Sequence, residues 1–587
     1  MQGPRFEIPA CADADVRRLV SELRVSGALA QVLVRRGLAD PGRAQAFLAA
    51  EEEHPASAFA GMHEAVALVL EHVRAGRRIT VHGDYDVDGV CATAVLVRAL
   101  RRLGGDVDTY LPHRASDGYG LSRDTVARLA ARGTRLLVTV DCAITAVEEV
   151  AAASALGMQV LVTDHHAARA DGRLPRAPIV HPALCGYPCA ELCATAVAYK
   201  LARALYRAAG RDASELSEDL DLVALATVAD AVPLVGENRT VVRRGLRALA
   251  ATRKPGLRAL MASAGVGPGA ISERSLGFAL GPRLNAAGRL HRADAALELI
   301  LTEDPARAAE VAAELERANC ERRQLQRRIL FQAEAQLAEQ GERMAYVLAG
   351  DGWHAGVIGI VAARLSERHH RPVVLIALSD GRGRGSGRSI EGFDLLAGLG
   401  ACGEHLLRFG GHRAAAGIEI ERDRVEVFAT ALCAHAERVV AHRDRIAVER
   451  VDAVVGGDEL GMELAEELRS LAPFGRGNPA VTLMVSEASF RDCRPMGDGK
   501  HARFSVHSRG SRTRAVAFGS GGRLPVGEGL PVQATFALEV NEWGGMVEPR
   551  LVLRHARPAD PGRSAPQPSP PATAREEHEE LVLFALP

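Results

Sequence analysis

Four short apolar runs between residues 77 and 182 (RRITVHG, TRLLVTVD, MQVLVTDHH and APIVHP) are separated by Ala-, Leu- and Arg-rich stretches over 90–103, 122–132 and 145–156. Bounded runs rich in Val, Ile, Leu and Thr read as buried strands, and the stretches between them read as helices. Strands alternating with helices predict a parallel sheet with helices on both faces. Such sheets hold their ligands beyond the carboxyl ends of their strands. The polar clusters of this segment fall just after apolar runs, so one pattern supplies both the fold class and the place to look for chemistry.

The rest of the 587 residues divides by texture, and a chain this long exceeds one ordinary core. Residues 1–75 read as short amphipathic helices, and 76–303 as the first α/β domain. Residues 304–340 have no Gly or Pro after Pro305 and are rich in strong helix formers. They predict one long connecting helix, assigned to 304–342. A second α/β domain is expected over 343–445, and short alternating strands with Gly-rich turns over 446–557 suit a small OB-like β-barrel. Residues 558–587 begin as a Pro/Ser/Ala-rich tail that reads as disordered.

At 47% hydrophobic and 25% charged the composition is globular. No apolar run is long enough to span a bilayer, and the first residues lack a secretory signal, so the expectation is a cytoplasmic protein with no membrane association. Ten cysteines without a CxxC pair suit a reducing compartment. The net charge of -1 gives no global basic signature, so nucleic acid would need a local basic surface.

The densest chemistry is VHGDYDVDG, which delivers His82, Asp84, Asp86 and Asp88, then Gly89 and a helix. Alternation would put the three aspartates on one side of an extended segment. Carboxylates packed so closely repel one another unless a cation neutralises them. A solvated acidic turn is the bland alternative. A calcium loop is disfavoured because Val95 stands where its closing Glu belongs. Asp141 follows TRLLVTV, and Asp164, His165 and His166 follow MQVLVT. Asp230 follows an apolar stretch that reads equally as helix or strand. One such Asp is commonly a helix cap, but four such sites in one domain point to a shared centre. Hard carboxylates with imidazole suit Mn²⁺ or Mg²⁺. Two such ions about 4 Å apart would activate water and clamp a phosphate for in-line displacement.

These motifs, in this order, resemble the DHH phosphoesterase superfamily. Further segments resemble its RecJ family: LPHRASDGYGLS, DLVALATVADAVPLVGENR, GPRLNAAGRL, GWHAGVIGIVAARLSERHHRPVVLIA, GRGSGRSIEGFDL, FGGHRAAAGI and PFGRGNP. The resemblance covers roughly residues 20–555. It implies a DHH-type catalytic domain, a DHH-associated domain and an OB-like barrel. It also implies a 5′→3′ exonuclease of recombination and repair that degrades single-stranded DNA with Mn²⁺ or Mg²⁺. Carried over, the catalytic and metal-binding residues are Asp86, Asp88, Asp141, His165, His166 and Asp230, with Asp84 as a ligand or its neighbour and His82 as a further ligand. Single-strand-binding protein and a helicase are implied partners of a monomer. Other DHH hydrolases, acting on dinucleotides or pyrophosphate, are shorter and lack the barrel; non-catalytic relatives lose the carboxylates.

Two positions depart from the family pattern: Ala143 stands for a usual Gly, and CATA near residue 194 lacks one. Ala replaces Gly without strain only where φ is negative, which is therefore the expectation at both. For DNA, GRGRGSGRS (381–389) reads as a Gly/Arg loop whose glycines admit phosphate and whose arginines grip it. The resemblance assigns the terminal phosphate to Ser386 and Arg388, aided by Arg114 and Arg289. Arg283 and Asn285 hold the loop or touch the next phosphate. His412 contacts phosphate or buttresses a turn, and His354 faces the cleft or caps a helix. Phe474, Phe518 and Trp543 are candidates for base stacking or for core.

Overall fold

The structure is a computed structural model that describes residues 4–112, 120–290, 293–441, 446–543 and 546–559. Arg114 and the tail from residue 560 lie outside the described residues. The described residues form two compact units, one within 52–445 and one joining residues up to Glu51 with those from Ile446 onward. Among them, no helix is long and apolar enough to cross a membrane, and all ten cysteines are free.

In the first unit the four apolar runs form β1 (Ile79–His82), β3 (Leu136–Val140), β4 (Gln159–Thr163) and β5 (Ile179–Val180), with β2 (Val107–Tyr110) at one edge. The sheet is parallel throughout, in the order β2-β1-β3-β4-β5. β2 escaped the apolar pattern because an edge strand is half-exposed and its VDTY carries Asp108 and Thr109. The sheet is backed by α1 (Val87–Arg102), which packs against α2 (Ala194–Ala208) and α3 (Leu220–Ala229). α1 is buried almost all round, which explains why it lacks a polar stripe. After α4 (Gly281–Leu290), α5 (Pro305–Gln340) is the expected long helix, capped by Asp304 and closed by Gly341 at φ 67°.

The second α/β segment is a five-stranded sheet of β6 (Tyr346–Asp351), β7 (Val373–Ser379), β8 (Arg382–Arg388), β9 (Arg408–Gly411) and β10 (Ala415–Glu421), in the order β9-β10-β8-β7-β6. The crossover from β6 to its parallel partner β7 is α6 (Ala355–His369). The expected Gly/Arg loop is instead strand β8, hydrogen-bonded on both sides. Its glycines serve packing rather than phosphate. A Cβ at Gly383 would lie 2.5 Å from Ile376 Cγ2, one at Gly385 2.4 Å from Ile418 Cγ1, and one at Gly387 2.8 Å from Leu395 Cδ2. Alternation therefore puts the glycines against the apolar core, and Arg382, Arg384, Ser386 and Arg388 on the other face.

In the second unit, β11 (Leu483–Met496), β12 (His501–Ser508), β13 (Ser511–Ala517), β14 (Val532–Trp543) and β15 (Met546–Pro558) run in the order β11-β12-β13-β15-β14. Pairing of β14 back to β11 closes the barrel. Phe490, Phe504 and Phe536 fill its core together with Leu29 and Leu33 from the helix Gly27–Arg35. Arg36 anchors that helix, reaching Asp452 at 3.1 Å, Asn478 Oδ1 at 2.6 Å and the Pro479 carbonyl at 2.7 Å. Within residues 1–75, then, helices up to Ala49 share the barrel's core, whereas Met62–Arg74 belongs to the core of the first unit.

Candidate metal centre

The chain leaves β1 at His82 and turns directly into α1. Asp86 is the helix N-cap, its Oδ1 accepting from Asp88 N at 3.0 Å and Gly89 N at 3.1 Å. The three aspartates therefore do not share an extended segment, because the cap starts the helix at Val87 and carries Asp88 into its first turn. Gly89 lets the loop fold onto that turn, since a Cβ there would lie 2.4 Å from Asp84 N. Asp88 is buried and accepts from Ala194 N at 2.7 Å, Thr195 N at 2.8 Å and Thr195 Oγ1 at 2.6 Å. The amino terminus of α2 thus holds this carboxylate by exposed N–H groups and dipole. The CATA run that forms that terminus keeps negative φ, as expected.

Ala143 does not. It sits at φ 82°, two residues after Asp141 at φ 63°. Left-handed backbone costs an alanine about 1–2 kcal/mol. The tertiary structure imposes the turn regardless, because Asp164 Oδ2 accepts from Ile144 N at 2.9 Å. Asp164, fully buried after β4, also accepts from His165 N at 2.7 Å and His166 Nδ1 at 2.8 Å. Asp230 caps the carboxyl end of α3, which settles the open choice for its apolar stretch in favour of a helix buried on nearly every side.

These elements converge on His165. Its Nε2 lies 3.2 Å from Asp141 Oδ1, 3.7 Å from Asp88 Oδ2 and 3.8 Å from Asp230 Oδ2. That nitrogen is buried and has no hydrogen-bond partner among the described residues. Three overlapping groups have ligand atoms within 4.8 Å of one another: Asp141, His165 and His166; Asp88, His165 and Asp230; Asp84, Asp86 and Asp141. His82 is in none of them; its ring stacks on Tyr110 at 5.3 Å, and its Nδ1 lies 3.6 Å from Cys142 Sγ.

Burial, then repulsion from Asp88, Asp86, Asp84 and Asp230, pushes the Asp141 carboxyl well above its usual range. Burial and Asp88 push Asp86 up as well. Burial also pushes Asp164 up, but the His166 hydrogen bond and the two imidazoles outweigh it and hold Asp164 below the usual carboxylate range. Burial lowers His166, and Asp164 more than reverses that, lifting it to about 9. Burial and His166 lower His165. A dense set of repelling carboxylates around an unbonded imidazole nitrogen fits a hard divalent cation, which would relieve both.

Two supporting residues were not singled out from sequence. His181 Nε2 donates to the His166 carbonyl at 2.7 Å while its Nδ1 accepts from Leu184 N at 3.2 Å, so its ring braces the histidine pair. Its signal was present, since IVHP repeats the strand-then-polar pattern. Thr195, which clamps Asp88, had no signal beyond its neighbourhood, whereas Asp164, expected in the strand-end cluster, anchors the turn and is in none of the three ligand groups.

Of the residues expected to handle DNA, Asn285 braces the centre, its Oδ1 accepting from Val87 N at 3.1 Å. Arg289 NH1 donates to the Gly356 carbonyl at 3.0 Å, tying α4 to the start of α6. Arg283 is buried and committed to the Ala279 carbonyl at 2.7 Å and Glu316 at 2.5 Å, which suits the holding role. Arg388 NH1 donates to Ser386 Oγ at 3.1 Å and to the Gly387 carbonyl at 2.7 Å. His412 Nδ1 accepts from Ala414 N at 3.3 Å, a turn buttress, and His354 caps α6 through Gly356 N at 3.1 Å. Trp353 is core. Phe474 packs on the barrel core, Phe518 is 52% exposed, and the Trp543 side chain lies outside what is described.

The cap at Asp86 makes a testable distinction. Asn caps a helix as well as Asp does, so metal-free Asp86→Asn should melt at or above the wild type, having lost a repelling charge. Asp86→Ala should lose about 1–2 kcal/mol. Equal losses for both in thermal melts with EDTA would show that the cap requires the charge.

Residues 78–227 match the model of the DHH family, N-terminal domain, residues 341–438 the DHHA1 domain, and residues 451–555 the RecJ OB domain. The chain is 35% identical over 565 residues to the single-stranded-DNA-specific exonuclease RecJ of Bacillus subtilis, covering 94% of this chain and 70% of that one. Identity to its namesake in Dickeya dadantii is 36% over 531 residues, covering 85% of this chain and 90% of that one. The crystal structure of RecJ in complex with Mn²⁺ from Thermus thermophilus aligns with a TM-score of 0.82 at 31% identity, over 95% of this chain and 80% of that one. Three domains in the order seen here, and identity sustained along most of both chains, place this protein in the RecJ family of the DHH superfamily.

Proposed function

We propose that the chain is a metal-dependent 5′→3′ exonuclease that hydrolyses phosphodiester bonds of single-stranded DNA. The observation that carries the reading is the convergence of Asp88, Asp141 and Asp230 on His165 Nε2, in a chain about a third identical to exonucleases of that specificity. Mn²⁺ or Mg²⁺ is the cofactor, as two ions. Asp84, Asp86 and Asp141 would hold one, and Asp88, His165 and Asp230 the other, with His166 beside them. When bound, such ions supply Lewis acidity, which activates water and neutralises the phosphate. The chain's own part is placement. The start of α2 fixes Asp88, Asp164 and His181 fix His166, and Asn285 fixes the start of α1.

The 5′ phosphate belongs to Ser386 and Arg388, with Arg289 and Arg114 contributing. The bonds from Arg388 NH1 set the plane of its guanidinium, a geometry that lysine cannot copy. Arg388→Lys should therefore slow cleavage of 5′-phosphorylated strands tenfold or more, on the scale of about 1.5–3 kcal/mol for a charged hydrogen bond. Strands with a 5′-hydroxyl should lose much less. Equal slowing of both in kcat/KM would make Arg388 a general backbone contact. We place the protein in the cytoplasm, acting in recombination and repair as a monomer with single-strand-binding protein and a helicase. The free cysteines suit that compartment. End-labelled single-stranded, duplex and dinucleotide substrates, each with Mn²⁺, Mg²⁺ or EDTA, test the reading. Release of mononucleotides from the 5′ end of single strands supports it; release from the 3′ end, or preference for the dinucleotide, overturns it.

A further inference from the structure

Phe278 is the most exposed large hydrophobic side chain among the described residues, at 81%. It stands on a π-helical turn, Leu276–Leu280, a local geometry that recurs at functional sites. The turn itself is firmly held, with Leu276 and Leu280 fully buried. Gly277 and Gly281 lie against Val228 and Ala229, the two residues before Asp230; their Cβ positions would be 3.4 and 3.5 Å from those side chains. The same helical segment continues as α4. There Asn285 bonds Val87 N, and Gly288 is so close to the Asp84–Asp86 loop that a Cβ would lie 2.5 Å from the Tyr85 carbonyl. The segment is thus clamped to both carboxylate-bearing stretches, and its phenylalanine faces water. One turn earlier Arg274 is also exposed. A lone ring with a cation beside it is too small an apolar area for a protein interface. It suits one nucleobase and the adjoining phosphate.

We propose that Phe278 stacks on a base of the single strand at the metal centre, with Arg274 on a neighbouring phosphate. This rests on the exonuclease reading. It also gives that reading a source of strand selectivity, because paired and stacked bases in a duplex offer no free face to the ring.

The test uses the full chain and 5′-phosphorylated strands carrying 2-aminopurine at each of the first several positions, bound in EDTA so that nothing is cut. Wild type and Phe278→Trp should quench the probe at one or two adjacent positions, and Phe278→Leu, with protein in excess, should lose that quenching and bind about tenfold more weakly while its melting temperature holds. With metal, an abasic residue at the same position should slow the wild type about tenfold, the scale of base–aromatic stacking, and leave Phe278→Leu unaffected. Equal quenching by wild type and Phe278→Leu at every position overturns the proposal. So does failure of Phe278→Trp to restore what Phe278→Leu loses. Failure of the wild type to cut single strands would instead refute the exonuclease reading, since the quenching is read without cleavage.

Discussion

Asp141→Ala should lower the rate of single-strand cleavage by roughly 10³-fold or more, and EDTA should abolish cleavage by the wild type. Asp141 belongs to two of the three ligand groups, with Oδ1 3.2 Å from His165 Nε2 and 3.9 Å from His166 Nδ1. Removing it takes a donor from one proposed ion position and the carboxylate nearest His165 Nε2 in the other, which no neighbour can replace. The fold should not suffer. Burial and four surrounding carboxylates raise the Asp141 carboxyl in the folded state, so the folded protein binds its proton more tightly than the unfolded chain does. Above the unfolded value of about 3.9, that group costs stability, and the cost grows as pH rises toward its raised folded value. Metal-free wild type should therefore lose stability with rising pH over that interval, and Asp141→Ala should lose less. His166, lifted to about 9, acts in the same direction at higher pH: its contribution is complete below about 6.5 and disappears as pH passes 9. Melting curves against pH in EDTA, with DNA binding followed by anisotropy, separate a catalytic loss from a folding loss. Substantial cleavage by Asp141→Ala, or by wild type in EDTA, would end the metal mechanism.

Gly89→Ala should cut activity about a hundredfold or more although it replaces no proposed ligand. Local propensity argues the other way, since alanine is the better helix former by about 1 kcal/mol. Space decides the sign. The added Cβ would meet Asp84 N at 2.4 Å and Asp84 Cα and O at 2.6 Å, all of them backbone atoms, so no rotamer change can relieve it. The loop carrying Asp84 and Asp86 must retreat by roughly 1 Å, whereas a working centre tolerates about 0.5 Å. The melting temperature should fall as well. A variant that melts higher and cuts at the wild-type rate would mean that the loop is free to move and does not hold the ligands.

The expectations that held rest on patterns with a direct physical cause. Strands of a sheet covered on both faces must be apolar throughout, so β1, β3, β4 and β5 were legible as runs. Parallel strands all point their carboxyl ends one way, which carries Asp141, Asp164, His165 and His181 to one edge. The uninterrupted helix formers of 304–340 left no alternative to α5. Beyond these, sequence alone left Asp230 open between helix and strand, because an apolar stretch buried on every side has no period to read.

The expectations that failed share another cause, which is proximity in space. GRGRGSGRS has the composition of a loop, yet Ile376, Ile418 and Leu395 crowd one face so closely that only glycine fits there as a strand. Ala143 takes a backbone conformation disfavoured for its own side chain because Asp164, far along the chain, fixes the turn. The alternation of Asp84, Asp86 and Asp88 promised a shared strand face, but Asp86 spends its side chain on the helix cap, so α1 begins between them. Residue types and their order determined the α/β fold, the place of the centre and the chemistry it can hold. Which carboxylate faces His165, which arginine is buried and which phenylalanine meets water were decided only by packing, because those outcomes depend on atoms tens of residues apart in the chain.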